Sequence, residues 1–404
     1  MRREGLPVDG HGRPRARIER GRVRPALVLF LCLLAGQAAL AALSPVLPRV
    51  AEDFGVSTAA AGQLRTAAGM AAATTALLVA FCAQRFGLRR LLGTGLALLA
   101  AGSVMSAAAP ALAVLGAGQV LTGVALAIVV AAGTAAAAAW ARPEQRARLL
   151  SLALSGQACA WVVGMPLIGV TAELSWRYSI ALPLVATLIA GLALRWAPGT
   201  TDDRPERGDL RSALRNRAVV AWASGELLAF SAWAGTLVYA GAFFVEVHGR
   251  SLAETGLALG VGAAGYLPGS FVARRLAGCC ARRVLIGTTL AAAGAVVLFT
   301  SAQTALWQSA ALFALLSFLG GARTLAGGTL GLAVAPDHKL AVMGLRAAAT
   351  YFGHLLGAAL GGLALTFGGY EALGTTLAFL FVAALMPHVL GSVFARERAA
   401  PGTT

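Results

Sequence analysis

The stretch "LAVLGAGQVLTGVALAIVVAAGTAAAAAWARPEQRARLL", residues 112–150, decides the fold. From Ala111 to Trp140 there is no charged residue, and then Arg142, Glu144, Arg146 and Arg148 follow at once. A helix needs about 20 mainly apolar residues to cross a bilayer, and this run exceeds that. Inside lipid every backbone group must pair within the structure, so an apolar run of this kind is a helix. The rest of the chain repeats the pattern. Charged residues make up 12% of the 404, against about 25% in soluble proteins. Hydrophobic residues make up 58%, and the mean hydropathy is +0.75. Similar runs, bounded by charge, Pro or Gly clusters, give spans at 25–47, 59–82, 91–109, 111–140, 150–171, 178–197, 218–245, 252–273, 284–302, 307–334, 341–367 and 371–394. The period-2 alternation of a membrane β-barrel is absent. The predicted fold class is an all-α membrane protein with twelve transmembrane helices.

Net charge +16 invites a nucleic-acid reading, but its distribution points elsewhere. With loops assigned alternately from an inside N-terminus, 28 basic residues fall inside and 4 outside, namely Arg49, Arg65, Arg177 and Arg250. Arg323 alone stays in a span. This asymmetry is the positive-inside signal. It predicts a multi-pass protein of the cytoplasmic membrane, both termini cytoplasmic, with anionic lipid on that face and no nucleic acid as partner. The basic N-terminus followed by an apolar run resembles a signal peptide, but its basic region is long and further spans follow, so it reads as an uncleaved first span. Trp140, Trp176, Trp196 and Trp307 sit near span ends, as an interfacial belt requires. The five cysteines form no framework.

An internal repeat organises the spans. "PEQR" at 143–146 matches "PDHK" at 336–339, and the same shift of 193 carries Arg89 and Arg90 to Arg282 and Arg283, Gly164 to Gly357 and Gly169 to Gly362. The chain therefore divides into a basic tail (1–24), a six-helix half (25–197), a polar linker (198–217), a second six-helix half (218–394) and a tail (395–404). Two such halves form pseudo-symmetric bundles, and in transporters built this way the solute site lies at the midplane between them.

At this point a family resemblance becomes visible. "AQRFGLRRLL" (83–92) resembles the loop 2–3 signature of the major facilitator superfamily, G-x-x-x-D-R-x-G-R-R, through Arg85, Gly87, Arg89 and Arg90. Ala80 stands at the usual Gly and Gln84 at the usual Asp. "LSPVLPRVAEDFGVS" (43–57), "GQLRTAAGM" (62–70) and "VVGMPLIG" (162–169) are similar to the drug:proton antiporter branch, with Gly164, Pro166 and Gly169 at motif positions in span 5. The resemblance implies a rocking transporter whose gate loop is Gln84–Arg85–Gly87–Arg89–Arg90. It also implies that spans 1, 4, 7 and 10 line the cavity. The departures fall on charge. Gln84 replaces an acid, Gln119 stands where span 4 often has Arg, and span 1 carries no acid. Coupling to protons cannot then use the usual N-half positions.

Away from span ends the ionisable residues are Glu226, Arg323 and His354, and an intramembrane ionisable group is a functional candidate by default. Counting along the helices puts Glu226 roughly 12 Å and Arg323 roughly 18 Å from the basic side. An Arg–carboxylate pair between spans 7 and 10 is therefore expected. It acts either as a fixed staple or as a proton or substrate switch. His354 is either a proton relay or a neutral helix–helix hydrogen-bond donor. Arg65 reads as an interfacial anchor. Phe230, Trp233, Tyr239 and Gln119 are candidates for the cavity wall, suited to an apolar or aromatic solute.

Other classes are excluded by what the chain lacks. Its only lysine, Lys339, follows Asp337–His338, so no phosphate loop exists, and there is no H-E-x-x-H, G-x-S-x-G or Cys/His metal cluster. No enzyme activity, cofactor or metal is implied. The expected function is proton-coupled efflux of small apolar or amphiphilic molecules by a monomer. The alternatives are a uniporter or importer of sugars or other metabolites on the same fold, and a non-transporting scaffold or sensor.

Overall fold

A computed structural model describes residues 17–82, 87–141, 145–198, 210–301, 305–335 and 339–399. All its regular structure is helical. The first half comprises α1 (Arg17–Ala41), α2 (Leu43–Asp53), α3 (Thr58–Cys82), α4 (Leu88–Ala107), α5 (Leu112–Ala139), α6 (Arg146–Val162), α7 (Gly164–Leu174) and α8 (Trp176–Ala193). A short α9 (Leu210–Arg215) leads into the second half. That half comprises α10 (Arg217–Glu246), α11 (Leu252–Ala264), α12 (Tyr266–Ser301), α13 (Leu306–Val334) and α14 (Lys339–Ala399). Ten segments among the described residues are long and apolar enough to cross a membrane. One of them, Ala341–Gly391, spans two crossings, because α14 breaks at Gly368–Gly369. With α3 between, the twelve-helix, two-bundle layout accounts for every span.

Three of the helix breaks have a common cause. The α1/α2, α6/α7 and α11/α12 junctions lie at Ala42, Val163 and Gly265. Three residues beyond each stands a proline: Pro45, Pro166 and Pro268. A proline has no N–H for the carbonyl four residues earlier, and its ring collides with that carbonyl. Each helix therefore bends one turn before its proline. Gly369 turns the chain between the last two crossings at φ 63°, ψ −156°, a conformation essentially restricted to glycine.

The bundle has two chemically different ends. Arg89, Arg90, Arg146, Arg148, Arg195, Arg215 and Arg217 stand at one. At the other stand Glu52, Asp53, Glu173, Glu246, Glu254 and Glu371. The halves meet toward this acidic end. There a single apolar core joins Leu43, Val46 and Leu47 of α2 and Ile168 of α7 to Tyr239, Phe243 and Phe244 of α10 and Leu259 of α11. Toward the basic end the core divides. One cluster, around Leu29, Leu33, Leu92, Leu99 and Val129, belongs to the first half alone. Another, around Val219, Trp222 and Val342, belongs to the second. Between these levels Tyr351 of α14 inserts among Leu40, Ala72, Ala73, Leu126 and Ala127.

The seam at the acidic end is built on close backbone approach. Gly169 of α7 lies against the Leu252 carbonyl and Gly256 of α11. Gly241 of α10 lies against the Ser44 carbonyl, and Gly69 of α3 against the backbone of Leu355. Hydrogen bonds cross the same seam. Ser44 Oγ donates to the Leu237 carbonyl at 2.6 Å, the Ala253 N–H donates to Glu173 Oε1 at 2.8 Å, and Thr58 Oγ1 donates to Glu246.

The span 5 motif therefore splits into unequal parts. Gly169 is at the seam, Pro166 packs on Gly260, and Gly164 has open space where a Cβ would go. Gly164→Ala is expected to leave the thermal stability of the detergent-solubilised protein unchanged. Gly169→Ala forces a methyl group onto a carbonyl and should cost about 1–3 kcal/mol, the usual range for overpacking. Equal melting temperatures for the two variants would contradict this account of the seam.

Candidate functional site

The site lies inside the second bundle, two to three turns from its basic end. Glu226 of α10 is fully buried and Arg323 of α13 is 4% exposed. Arg323 Nη2 donates to Glu226 Oε1 at 2.7 Å. A second guanidinium approaches from α14, with Arg346 Nε 3.3 Å from Glu226 Oε2. That contact is one of charge, since Oε2 accepts no hydrogen bond among the described residues. Arg346 Nη2 donates instead to the Thr324 carbonyl. His388, from the last crossing, completes the group. Its Nε2 stands 3.7 Å from Glu226 Oε1 and 3.4 Å from Arg323 Nη2.

The chemistry of these contacts fixes the proton inventory. A guanidinium has donors only, so His388 Nε2 accepts from Arg323 and the ring is neutral, with its proton on Nδ1. That Nδ1 has no partner among the described residues. The group therefore holds two cations, one anion and one neutral imidazole, a net charge of +1. Phe230 covers it. Its ring lies 5.6 Å from the Arg323 Cζ and 6.0 Å from the Arg346 Cζ, within the range of cation–π attraction.

Glycines make room for this packing. A Cβ on Gly327 would meet the Glu226 carboxylate, one on Gly328 the Arg346 guanidinium, and one on Gly225 the His388 ring. Gly331 clears space for Trp222, whose indole N–H donates to the Gly327 carbonyl at 2.9 Å. Of the glycines flanking Arg323 more closely, Gly321 abuts the Tyr266 carbonyl and Gly320 faces Trp233.

Other expected site residues lie elsewhere. His354 is half-buried on α14 and takes no part in the Glu226 group. Its side chain is in electrostatic reach of Arg65. Phe230 and Trp233 line a small hollow with Leu316, Leu319, Arg323 and Phe381. Tyr239 is buried at the seam, where its hydroxyl donates to the Ala358 carbonyl at 2.8 Å, and it lines a second small hollow with Phe243, Phe299 and Tyr370. Gln119 is buried and donates to Ser106 Oγ of α4 at 3.3 Å. It therefore serves the α4–α5 contact. In the gate loop Gly87 is the N-cap of α4 and accepts from the Arg90 N–H at 2.9 Å. Arg89 and Arg90 are exposed. Gln84 and Arg85 lie outside the described residues.

Two sequence readings need correction. Arg65 is not an interfacial anchor. It is 6% exposed, because α3 packs against both α5 and α14. The intramembrane ionisable set was also too small. Arg346 is one of the 28 basic residues assigned to the inside, yet α14 starts at Lys339 and places it two turns within the helix. His388 lies near the C-terminal end of the last span but is only 3% exposed.

Removing one member of a buried ion pair strands the other, at a typical cost of about 3–5 kcal/mol. Arg323→Leu should therefore lower thermal stability more than Arg346→Gln, since the Arg346 side chain is 19% exposed. The double variant Glu226→Gln/Arg323→Gln should be less destabilised than the sum of its single variants. Additive losses in a double-mutant cycle would show that the two side chains do not act as a pair.

Comparison with known proteins agrees with this architecture. An uncharacterised transporter of Escherichia coli K12, YgaY, is 27% identical over 173 residues. The match covers 42% of this chain and 44% of that protein, so the chain spans less than half the length of that curated relative. Two solved structures share the fold. A bacterial homologue of the human lysosomal transporter Spinster, inward-facing and occupied, has TM-score 0.74 at 15% identity, over 95% of this chain and 98% of that one. A D-xylose–proton symporter has TM-score 0.74 at 16% identity, over 91% and 97%. Residues 29–277 match the Major Facilitator Superfamily, and the chain is a multi-pass membrane protein belonging to that family.

Proposed function

We propose that the chain is a proton-coupled exporter of small apolar or amphiphilic molecules, working as a monomer in the cytoplasmic membrane with both termini inside. The observation that carries this reading is the buried Glu226, held by cations from two other spans and touched by His388. Arg323 keeps the carboxylate ionised in the empty site. A proton delivered to His388 converts its Nε2 from an acceptor into a donor, so Arg323 loses one contact and His388 competes with it for Glu226. A proton on Glu226 itself releases both arginines. Either event redistributes charge among α10, α13 and α14, whose arrangement shapes the solute-facing surface. Phe230 and Trp233 offer an apolar wall beside the same arginine.

The seam fits an alternating-access cycle. The positive-inside rule makes the basic end cytoplasmic, so a seal at the acidic end corresponds to a state open toward the cytoplasm, from which an exporter loads. The antiporter-like motif in span 5 belongs to this seal, since Gly169 is one of its closest contacts. No specific observation favours the importer, uniporter or scaffold readings over export.

Inside-out vesicles test the proposal. Acid-inside vesicles should accumulate a lipophilic fluorescent dye that carries a carboxylate, and a protonophore should abolish the uptake. Glu226→Gln, with its folded amount verified by size-exclusion chromatography, should remove proton-driven uptake while leaving dye binding in place. Undiminished proton-driven uptake by that variant would remove Glu226 from the coupling step. Uptake driven equally well by either orientation of the proton gradient would point to a uniporter.

A further inference from the structure

Of the four bases predicted at the acidic side, three have an acid beside them. Arg49 Nη1 pairs with Glu52 at 3.0 Å, Arg177 Nη2 with Asp53 at 3.2 Å and Arg250 Nη1 with Glu254 at 3.8 Å. Arg65 is the exception. It lies two turns inside α3 and is 6% exposed. Its Nε and Nη1 have no hydrogen-bond partner among the described residues, and no described acid stands within ion-pair distance. The Glu226 group cannot balance it, because that carboxylate already serves two guanidiniums. Among the described residues the bilayer-embedded interior thus holds Arg65, Arg323 and Arg346 against one acid. A buried charge without a counter-charge is unfavourable and marks a place where an anion is favoured.

The surroundings identify where that anion comes from. Arg65 belongs to the first half. Facing it is α14 of the second half, packed so closely that Gly69 touches the backbone of Leu355. The adjacent residue, His354, is in electrostatic reach of Arg65 and is half-buried. Arg65, one turn before Gly69, and His354, beside Leu355, therefore lie close together across the α3–α14 contact between the halves, well inside both helices. An imidazole offers a further hydrogen bond to an anion lodged there.

We propose that Arg65 is the binding residue for a monoanionic group of the transported solute, a carboxylate or its equivalent, with His354 as its hydrogen-bonding partner from the opposite half. The proposal rests on the transporter reading and narrows the solute class to amphiphiles that carry one negative charge. Because the two residues belong to different halves, the bound anion also links them.

The test uses the full chain purified in detergent, with benzoate as the anionic probe, benzamide as its neutral counterpart and benzylamine as the cation. Benzoate should raise the melting temperature and the other two should not. Arg65→Gln should weaken benzoate binding by at least about tenfold, the loss expected for one charge-assisted hydrogen bond. Arg65→Lys keeps the charge and should keep the preference for benzoate, which guards against a general folding defect. A parallel arm adds phosphatidylglycerol. Stabilisation by that lipid alone would assign Arg65 to a headgroup and overturn the proposal. Equal binding of benzoate by wild type and Arg65→Gln would also overturn it, as would stabilisation by benzamide equal to that by benzoate, or no benzoate effect on the wild type. The assay needs no gradient. Benzoate binding through Arg65 without proton-driven export in vesicles would leave the site standing and remove only the exporter reading.

Discussion

In a bilayer, helices gain little by hiding apolar surface from one another, because the surrounding lipid is equally apolar. What holds this protein together is close backbone approach, and glycine supplies it. Gly123 rests on the Ala68 carbonyl, Gly156 on that of Phe30, Gly269 on that of Phe318 and Gly357 on that of Ser231. These contacts join α5 to α3, α6 to α1, α12 to α13, and α14 to α10. Each brings two helices near enough for dispersion over many atoms at once. The same requirement shapes the site. The glycines of α13 that lie one turn or more beyond Arg323 provide the volume that a carboxylate, a guanidinium and an indole occupy.

The Glu226 group shows how a low-dielectric interior handles charge. One acid and two guanidiniums from three crossings form a compact arrangement under an aromatic lid. Its geometry is over-determined from four directions: α10, α13 and the two crossings of α14. Desolvating so many polar atoms is unfavourable, and the contacts offset it only while all are present. The contrast with Arg65 is informative. Arg323 and Arg65 are both buried; Arg323 leaves only its Nε without a hydrogen bond and has the Glu226 carboxylate beside it, whereas Arg65 leaves two nitrogens unbonded and pairs with no described acid.

The layout was legible because it follows from quantities that a sequence displays directly: the length of uncharged runs, the side on which arginine accumulates, and the constant shift between the halves. The pairing of Glu226 with Arg323 was legible for a related reason, since two isolated charges at matching depths have few other partners. Arg346 and His388 were harder to see. Depth read from a sequence depends on where a helix is taken to begin, and α14 begins early enough to carry Arg346 inside. Proximity of His388 to a span end says nothing about whether it faces lipid or protein. Rotational position is the missing variable. The helix breaks were recoverable in principle, since Pro45, Pro166 and Pro268 were all in view.

Those breaks bear on how the molecule moves. The elements that make most of the seam are short: α2 and α7 have 11 residues each and α11 has 13. Every one of them lies on the far side of a proline-induced bend from the longer helix it continues. Mechanically they are levers hinged at Ala42, Val163 and Gly265. A force that parts α7 from α11, or α2 from α10, is relieved by flexion at a hinge before it strains the divided cores near the basic end. In the proposed cycle, opening the acidic end is a matter of swinging three short arms, and the stiffness of those hinges sets how far the deep parts of each half must turn.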